Sequence, residues 1–553
     1  MLVWGLIAGL SHIRYQPPPV VARTADATVF SAERAEEVFQ RLYQNASPHP
    51  AGENKEFREK VIQEFESLGY EVELHKSQAS PRNRRSSQTV LPLTNILVRL
   101  VGKTDLPPVI LAGHFDSVPG APGAADDGAA VAVIIEIARM LRNEPPLNRD
   151  LIFLLTDGEE MGLLGATQFT QEHPYAEEAS VVINLEARGT TGPSMLFETS
   201  EDSQWLINAF AKTARRPFAS SLFYEIYRRL PNDTDFTVFR DAGLQGCNFA
   251  FIGDVKNYHT IHDNYENLDR RSLQHHGENS LNLLREIINS DIEAAPPTRA
   301  VYFDVLGFRI FQWPENLSIW LALVGSVSLF SFFRFCGVLQ TAAETQIALS
   351  NRLLSLTAPL IVLGLCLATG YALDRGLRLD GVFENPWPLS PFPVQASFWF
   401  LGVTLIGGFS ILCMHRLDWR WSFLGTGVIW AALAFTTSLQ TPGASYLFIV
   451  PLLVTAVAAL LSRWSERTGM YQKAAFVSCV LALAVALIWL PLERLFYDAV
   501  GFRMNIVLII RVSLVTTVLI PLMALTPKRT VLRLTCLSFL IWICLVAWGT
   551  LAN

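Results

Sequence analysis

The charged residues of this 553-residue chain are distributed very unevenly, and this constrains its fold more than any other feature. About 24 of the last 241 residues are charged, against about 70 of the first 312. Soluble domains carry about 25% charged residues, and only the first part of the chain approaches that value. Because charge is costly inside a bilayer, the sequence predicts a water-soluble part followed by a membrane-embedded part.

The weakly charged part contains eight apolar segments, each close to the roughly 20 residues that a membrane-spanning helix needs. They lie at about residues 317–337, 353–373, 396–414, 421–439, 444–462, 474–491, 504–525 and 530–550. A large soluble domain can bury a few such helices. Eight in succession, joined by short polar connections, favour a membrane domain over residues 317–553.

Arg511 stands near the middle of the seventh apolar segment, within the run NIVLIIRVSLVTT. A charge at that depth is costly and usually faces a protein interior or a cavity. The side chain can form a structural ion pair, extend to the membrane surface, or line a path for a substrate or a lipid. The sequence leaves these three interpretations open.

Basic residues in the loops predict the orientation of the membrane domain. About eight lie in loops on one side, and about four lie on the side that carries the amino-terminal domain. Because the richer side faces the cytoplasm, the amino-terminal domain is predicted on the other side, in a periplasm or exterior, or in a vacuole or reticulum lumen. Residues 294–316 are predicted to be a linker, and residues 1–30 a short apolar stub and linker that provides at most half a span.

Residues 31–293 alternate between extended and helical patterns. The runs YEVEL, NILVRLV, PVILAGHFDS, DLIFLLTDG, SVVINLEA and CNFAFIG are typical of strands, and several are continuously apolar, as in strands buried on both faces. Helical stretches such as Gly128–Asn143 lie between them. The sequence therefore predicts an α/β domain, a mostly parallel mixed sheet sandwiched by helices, followed by an all-α polytopic membrane domain. Functional residues are expected at the carboxyl ends of the strands.

The first two polar motifs follow this pattern. In AGHFDS, His114 and Asp116 are two residues apart on an extended segment and so face the same way. A metal-bound histidine usually donates its other ring N–H to a carboxylate, and Asp116 is placed for that role. In PGAPGAADDGAA, Asp126 and Asp127 precede a helix, where either one can be an amino-terminal cap or a carboxylate between two metal ions.

Three further motifs carry acids and histidines. In LLTDGEEMGLLGA, Glu159 and Glu160 follow a buried strand and point in different directions, so that one can bind metal while the other accepts a proton from water. Glu186 ends the strand in VVINLEARG. His259 and His262 stand in NYHTIHDNYENLD. Alone, each of these residues can equally be an ordinary surface side chain.

Taken together, the five motifs predict a two-metal site. Histidine, aspartate, a glutamate pair, glutamate and histidine occur in one order, each at a predicted strand end. Oxygen and nitrogen ligands of this kind suit zinc or a similar divalent ion.

The motifs HFDS, ADDGAAVAV, TDGEEMGLLGA, INLEARG and YHTIHDN resemble those of the co-catalytic dizinc metallopeptidases, which include aminopeptidase Y and the leucyl aminopeptidases. The resemblance covers about residues 30–293 and implies the zinc exopeptidase fold. A peptidase domain followed by AVYFDVLG and a multi-span membrane half is most similar to the vacuolar membrane protease and endoplasmic reticulum metallopeptidase group, as is the segment PNDTDFTVFRDAG. Those relatives carry a further span before the peptidase domain.

This resemblance implies specific roles for the motif residues, with two zinc ions in each chain. The implied metal ligands are His114, Asp126, Glu160, Glu186 and His259. One ion is held by the first histidine with Glu186, the other by Glu160 with the second histidine, and Asp126 bridges them. Glu159 is the implied general base and Asp116 orients His114. The family pattern H-T-x-x-D selects His259 over His262.

The implied function is that of a membrane-anchored exopeptidase, most simply an aminopeptidase, which hydrolyses peptide bonds with a dizinc-bound hydroxide. Two alternatives remain. One is a transporter or scaffold whose peptidase-like domain is inert, and the other is a dizinc relative with different amide chemistry, such as glutaminyl cyclisation. The expected partners are a peptide substrate and the lipid bilayer. With a net charge of −6, the chain lacks the excess of basic residues that nucleic-acid binding requires. The sequence leaves the oligomeric state open.

Overall fold

The computed structural model describes residues 2–44, 47–81, 90–230, 232–290, 292, 296–335, 348–388, 390–413, 415–463 and 469–552. The chain forms two compact units, one of residues Ile13–Glu315 and one of Met1–His12 with Asn316–Asn553. The domain boundary predicted between residues 293 and 294 lies outside the described ranges. Pro231, the first residue of the PNDTDF segment, also lies outside them.

The first unit contains a mixed sheet of seven strands in the order β1-β2-β4-β3-β5-β7-β6. The strands are β1 Val72–Ala79, β2 Leu91–Leu100, β3 Val109–His114, β4 Leu151–Thr156, β5 Val181–Ala187, β6 Met195–Thr199 and β7 Gln245–Phe251. The central strands β4, β3, β5 and β7 are parallel, whereas β1, β2 and β6 pair antiparallel towards the two edges. The predicted mixed α/β sheet is confirmed, and its parallel part is the centre.

The central strands are apolar throughout because helices cover both faces of the sheet. Every residue of β3, β4 and β5 is buried. Along β3, Val109 and Leu111 pack into one core and Ile110 and Ala112 into the other, as the two-residue period of a strand requires. The helices of this unit are α2 Ala32–Tyr43, α3 Lys55–Ser67, α4 Gly128–Arg142, α5 Leu164–Glu172, α6 Pro174–Glu178, α7 Gln204–Thr213, α8 Ser221–Tyr227, α9 Asp235–Asp241 and α10 Arg270–Ile288.

A two-stranded antiparallel hairpin, β8 Ala300–Val305 and β9 Arg309–Pro314, ends this unit. It lies where a linker over residues 294–316 is predicted. Asp304 stabilises the hairpin, because its carboxylate accepts hydrogen bonds from the N–H groups of Gly307 (2.8 Å) and Ala219 (3.2 Å).

The second unit is helical. It contains most of α1 Leu2–Arg14, followed after residue 315 by α11 Ser318–Phe335, α12 Leu349–Leu379, α13 Pro391–Cys413, α14 Trp419–Gln440, α15 Tyr446–Arg463, α16 Met470–Trp489, α17 Leu492–Val500, α18 Asn505–Thr517, α19 Ile520–Leu525 and α20 Lys528–Ala552. The predicted stub is thus a 13-residue helix, too short to cross a hydrocarbon core of about 30 Å. The ring of Trp4 packs edge-on against Trp399, with centroids 6.2 Å apart.

Six helical runs among the described residues are long and apolar enough to cross a membrane. One of them, Met470–Leu525, is 56 residues long and contains α16 to α19, and Tyr446–Ser462 is a shorter apolar helix. Every one of the eight predicted apolar segments overlaps a helix, although the ends predicted at residues 337 and 414 lie outside the described ranges. The number of eight spans stays a prediction.

Candidate functional site

The predicted site residues meet at one edge of the sheet because the central strands run parallel. β3 lies between β4 and β5, so the carboxyl ends of these three strands are adjacent. His114 is the last residue of β3, Glu159 and Glu160 follow β4 by a few residues, and Glu186 is the penultimate residue of β5. Asp126 lies in the turn before α4, and His259 lies in the loop after β7.

Two groups of possible ligand atoms form there, each within 4.8 Å, and they share one aspartate. In the first, His114 Nε2 is 3.2 Å from Asp126 Oδ1 and 3.8 Å from Glu186 Oε2. In the second, His259 Nε2 is 3.1 Å from Asp126 Oδ2 and 2.9 Å from Glu160 Oε1. Each oxygen of the Asp126 carboxylate therefore faces a different group.

These spacings fit a metal ion in each group. A tetrahedral zinc site with bonds of 2.0–2.1 Å separates neighbouring ligand atoms by about 3.3 Å, and the four distances lie between 2.9 and 3.8 Å. Glu160 Oε1 is buried and makes no hydrogen bond of regular geometry to a described residue, although His259 Nε2 lies 2.9 Å away. An atom of this kind is more consistent with a ligand than with an ordinary ion pair.

The site holds many more buried acids than its histidines can neutralise. Burial raises the pKa of the Glu159 carboxyl well above its usual range, and the charges of Glu186 and Glu160 add to this effect. Burial, with the charge of Asp126, raises the pKa of Glu160 to about 8. Burial alone would lower the pKa of His259, but the carboxylates of Asp126 and Glu160 raise it to about 9. A bound cation relieves this repulsion.

The two groups differ in their exposure to solvent. The side chains of His114, Asp126 and Glu186 are at most 8% exposed, while that of His259 is 34% exposed. His259 also has a left-handed backbone, with φ of 57°, which is uncommon for a residue with a side chain. Its ring stacks on Tyr258 with centroids 3.7 Å apart. A substrate can therefore approach from the side of His259.

Asp116 connects His114 to the turn that carries both glutamates. Its carboxylate accepts hydrogen bonds from the backbone N–H groups of Glu159 (3.0 Å) and Glu160 (3.2 Å). His114 Nδ1 lies 3.1 Å from the backbone oxygen of Asp116 and 3.5 Å from its carboxylate. The carboxylate thus acts mainly on the glutamate turn, while the backbone oxygen is the nearer partner of the histidine.

Three further residues support the site, and sequence reasoning gave none of them this role. Asp127 accepts a hydrogen bond from the His114 N–H (3.2 Å). Asp263 accepts hydrogen bonds from the N–H groups of Ala125 (2.7 Å) and Asp126 (3.2 Å). Asn184 contacts Glu186 Oε1 at 3.4 Å, and its position two residues earlier on the same strand face is a signal that the sequence contains.

We expect the metal-free α/β unit to lose stability as pH rises from 5 to 8. Glu160, Asp235 and Asp263 have pKa values raised to about 8, 7 and 7, with burial as the main cause. Through these groups the native unit binds more protons than the unfolded chain in that range, so its free energy of unfolding falls with rising pH. His275 and His276, whose pKa values burial lowers to about 4 and 3, act in the opposite direction below pH 7, and the larger number of raised groups outweighs them. Asp126, whose pKa is lowered, titrates below this range.

The measurement is the urea midpoint of the full chain in detergent with a chelator at pH 5, 6.5 and 8. Labelling of the Cys247 thiol, which is fully buried in β7, reports unfolding of this unit when the other cysteines are replaced. We expect the midpoint to fall steadily with the chelator and to change less, or rise, with zinc. A chelated midpoint that rises with pH would contradict the raised pKa values.

Comparison with known proteins finds a family match over the part of the chain that contains the site. The pattern of peptidase family M28 matches residues 95–284, which confirms the resemblance found in the motifs. The chain is 35% identical to mouse endoplasmic reticulum metallopeptidase 1 over 234 residues, 41% of this chain and 26% of the relative. It is 29% identical to a vacuolar membrane protease of Saccharomyces cerevisiae over 408 residues, 70% of this chain and 40% of the relative. A match that long cannot lie within residues 13–315 alone.

The chain therefore spans about a quarter to two fifths of the length of these curated relatives. Two solved structures are each similar to about half of the chain. BSAP, a zinc aminopeptidase from Bacillus subtilis, is 16% identical with a TM-score of 0.40, and the match covers 48% of this chain and 97% of that one. A glutaminyl cyclase from Porphyromonas gingivalis is 21% identical with a TM-score of 0.39, covering 47% and 99%.

The six apolar helical runs, together with the similarity to an endoplasmic reticulum metallopeptidase and a vacuolar membrane protease, identify the chain as an integral membrane protein.

Proposed function

We propose that this chain, whose residues 95–284 match peptidase family M28, is a membrane-anchored zinc exopeptidase of the aminopeptidase type. The observation that carries the proposal is the Asp126 carboxylate, which directs one oxygen to each of two groups of ligand atoms. A carboxylate placed between two groups of ligand atoms would suit a pair of divalent ions.

In this proposal each chain binds two zinc ions. His114 and Glu186 would hold the first ion and Glu160 and His259 the second, and Asp126, which belongs to both groups, would contribute to each. When bound, zinc would act as a Lewis acid on a peptide carbonyl and would lower the pKa of a water molecule bound to it. Asp127 and Asp263, by accepting backbone hydrogen bonds, hold His114 and Asp126 in position.

Glu159 is the proposed general base. It lies next to the ligand Glu160 but belongs to neither ligand group. Its Oε atom takes a proton from the attacking water and later gives it to the leaving amine, so that one side chain is base and then acid.

Asp116 is a positioning residue in this mechanism. It contacts the backbone of both glutamates and the ring of His114, so it sets the direction of the base relative to the first ligand. Such supporting residues typically change activity or metal affinity by 10–100-fold.

The remaining parts of the proposal concern the chain as a whole. We propose that the peptidase domain extends over residues 31–293, that residues 317–553 form a membrane domain of about eight spans, and that the peptidase domain lies on the non-cytoplasmic side. The bias of basic residues in the loops supports this side. The substrate is a peptide that reaches the domain outside the cytoplasm.

The test is a hydrolysis screen with the full chain in detergent. Fluorogenic amides of single amino acids with a free α-amine are compared with their N-acetylated forms, with and without chelator. We expect release only from the free-amine series, its loss with chelator, and recovery with zinc at two ions per chain. Equal cleavage of the acetylated series would overturn the aminopeptidase assignment.

A second arm of the screen separates the alternatives. Peptides that begin with glutamine are analysed by mass for loss of ammonia, the product of glutaminyl cyclisation, beside loss of the first residue. Cyclisation without hydrolysis would replace the proposal by the other amide chemistry. Zinc binding with neither reaction would support an inert binding domain.

A further inference from the structure

The hairpin that ends the α/β unit exposes large apolar side chains on its outer face. Ile310 of β9 is 6% exposed and packs in the core of this unit, so the flanking residues Arg309 and Phe311 point away from that core. Phe311 is 50% exposed, and Phe308, in the turn before β9, is 60% exposed. Two exposed phenyl rings three residues apart form an apolar patch, a feature that commonly marks an interaction surface.

The turn that carries Phe308 is fixed by several contacts. The Phe308 N–H donates to the Val305 carbonyl at 3.0 Å, which closes a turn over Leu306 (φ 52°) and Gly307 (φ 64°), the left-handed kind that suits a two-residue hairpin. The guanidinium of Arg14 donates to the carbonyls of these two turn residues, at 3.2 and 2.8 Å, and lies 4.0 Å from the centroid of the Phe308 ring. The exposed ring is therefore held in place rather than free to turn inwards.

The chain enters the membrane directly after this hairpin. β9 ends at Pro314, and one of the six apolar helical runs begins at the next residue, Glu315. A strand rises about 3.3 Å per residue, so Phe311 is within about 10 Å of that point along the chain. The headgroup layer on each side of a bilayer is roughly 5–8 Å thick. Phe311 is therefore close to the lipid headgroups.

The other end of the hairpin is also next to the membrane part of the chain. Arg14, which contacts the turn, is the last residue of α1, and this helix belongs to the helical unit up to His12. Large apolar side chains are exposed along one face of α1, at spacings of three and four residues: Val3, Leu6, Leu10 and Ile13. Ile13, which is 65% exposed, thus continues an apolar stripe of the membrane part into the α/β unit.

We propose that Ile13, Phe308 and Phe311 form a lipid-binding face, and that the hairpin lies along the surface of the bilayer. The three apolar side chains insert among the upper parts of the acyl chains. The exposed guanidinium of Arg309, on the same face of β9 as Phe311, meets the lipid phosphates. Since each end of the hairpin is within a few residues of the membrane part, the hairpin runs along the surface instead of projecting from it.

Lipid fits this face better than a protein partner or a second copy of the chain. Aromatic and aliphatic side chains beside a basic residue are typical of membrane interfaces. A fully exposed phenylalanine offers about 200 Å², so these three partly exposed side chains present about 350 Å² together, less than half of the roughly 800 Å² that each partner of a stable protein complex buries. A bilayer, to which the chain is already joined, needs no such area.

The test measures contact with lipid at single positions of the full chain. A nitroxide spin label is attached at Phe308→Cys, Phe311→Cys or Ile13→Cys in a background without other reactive cysteines, with one chain in each phosphatidylcholine nanodisc. The readout is the rate of collision with oxygen, which concentrates in hydrocarbon, relative to a water-soluble nickel chelate. Val101→Cys is the matched control, because Val101 is an apolar residue of the same unit with 62% exposure.

We expect the ratio of oxygen to nickel collisions at the three positions to exceed the ratio at Val101→Cys by about threefold or more, because oxygen is apolar. Ratios equal to that of the control would overturn the proposal. Broadening of the spectra that appears only when two chains share a nanodisc would replace lipid by a second copy as the occupant. Thermal melts identify any labelled variant that is less stable than the wild type, and the remaining positions then decide. Neither outcome depends on peptide hydrolysis or on bound zinc.

Discussion

Replacing Glu159 with glutamine is expected to lower peptide hydrolysis by about 10³-fold, since positioned acid–base groups contribute typically 10²–10⁴-fold. Glutamine has the same shape but cannot take up a proton from water. Glu159 is in neither group of ligand atoms, so zinc content should stay unchanged. The measurements are kcat on a free-amine amide substrate and zinc per chain by elemental analysis.

The stability of this variant distinguishes loss of the base from loss of the fold. Burial and the charges of Glu186 and Glu160 raise the pKa of the Glu159 carboxyl, so a neutral amide relieves repulsion in the metal-free state. We therefore expect Glu159→Gln to melt no lower than the wild type in chelator. Glu172→Gln is the matched control, because its side chain is 49% exposed and pairs with His75 at the surface. Wild-type turnover in Glu159→Gln would remove Glu159 from the mechanism.

The centre of the fold was predictable because it depends on local patterns. Continuously apolar runs such as that of β3 occur where a strand is buried on both faces, and a polar residue that ends such a run marks the edge of the sheet. This is why His114 and Glu186 could be placed at one edge before the structure was known. Adjacency of β4, β3 and β5 then places their polar ends together.

The parts that sequence patterns do not single out depend on distant contacts. β6 has five residues and a register shift between Leu196 and Glu198, so it shows no clear alternation. The contact from Asp116 to Glu159 joins residues 43 positions apart, and nothing in HFDS indicates that its carboxylate holds a turn after another strand. The α17 helix is only nine residues long. No sequence pattern marks its Glu493 as the partner of Arg511, and only the structure shows this ion pair.

Asp126 is the residue whose change should affect both ligand groups at once. His114 and Glu186 serve one group and Glu160 and His259 the other, but the two oxygens of Asp126 serve both. Asp263 accepts a hydrogen bond from the backbone N–H of Asp126 and so holds that residue in position. An amide in place of the carboxylate keeps the size, removes the negative charge, and turns an NH₂ group towards one of the two positions.

Asp126→Asn is therefore expected to reduce bound zinc from two ions to at most one and to lower hydrolysis by about 10³-fold or more, since metal ions contribute several kcal/mol to the transition state. His259→Ala should remove one ion and keep the more buried group of His114 and Glu186 occupied, because those side chains remain in place. His262→Ala is the control, since His262 belongs to neither group and the motif assigns it no role. Zinc per chain and kcat are measured for all three variants under one buffer. If Asp126→Asn retains two ions, the bridge does not exist. If His262→Ala loses an ion while His259→Ala keeps both, the second ligand is the other histidine of the loop.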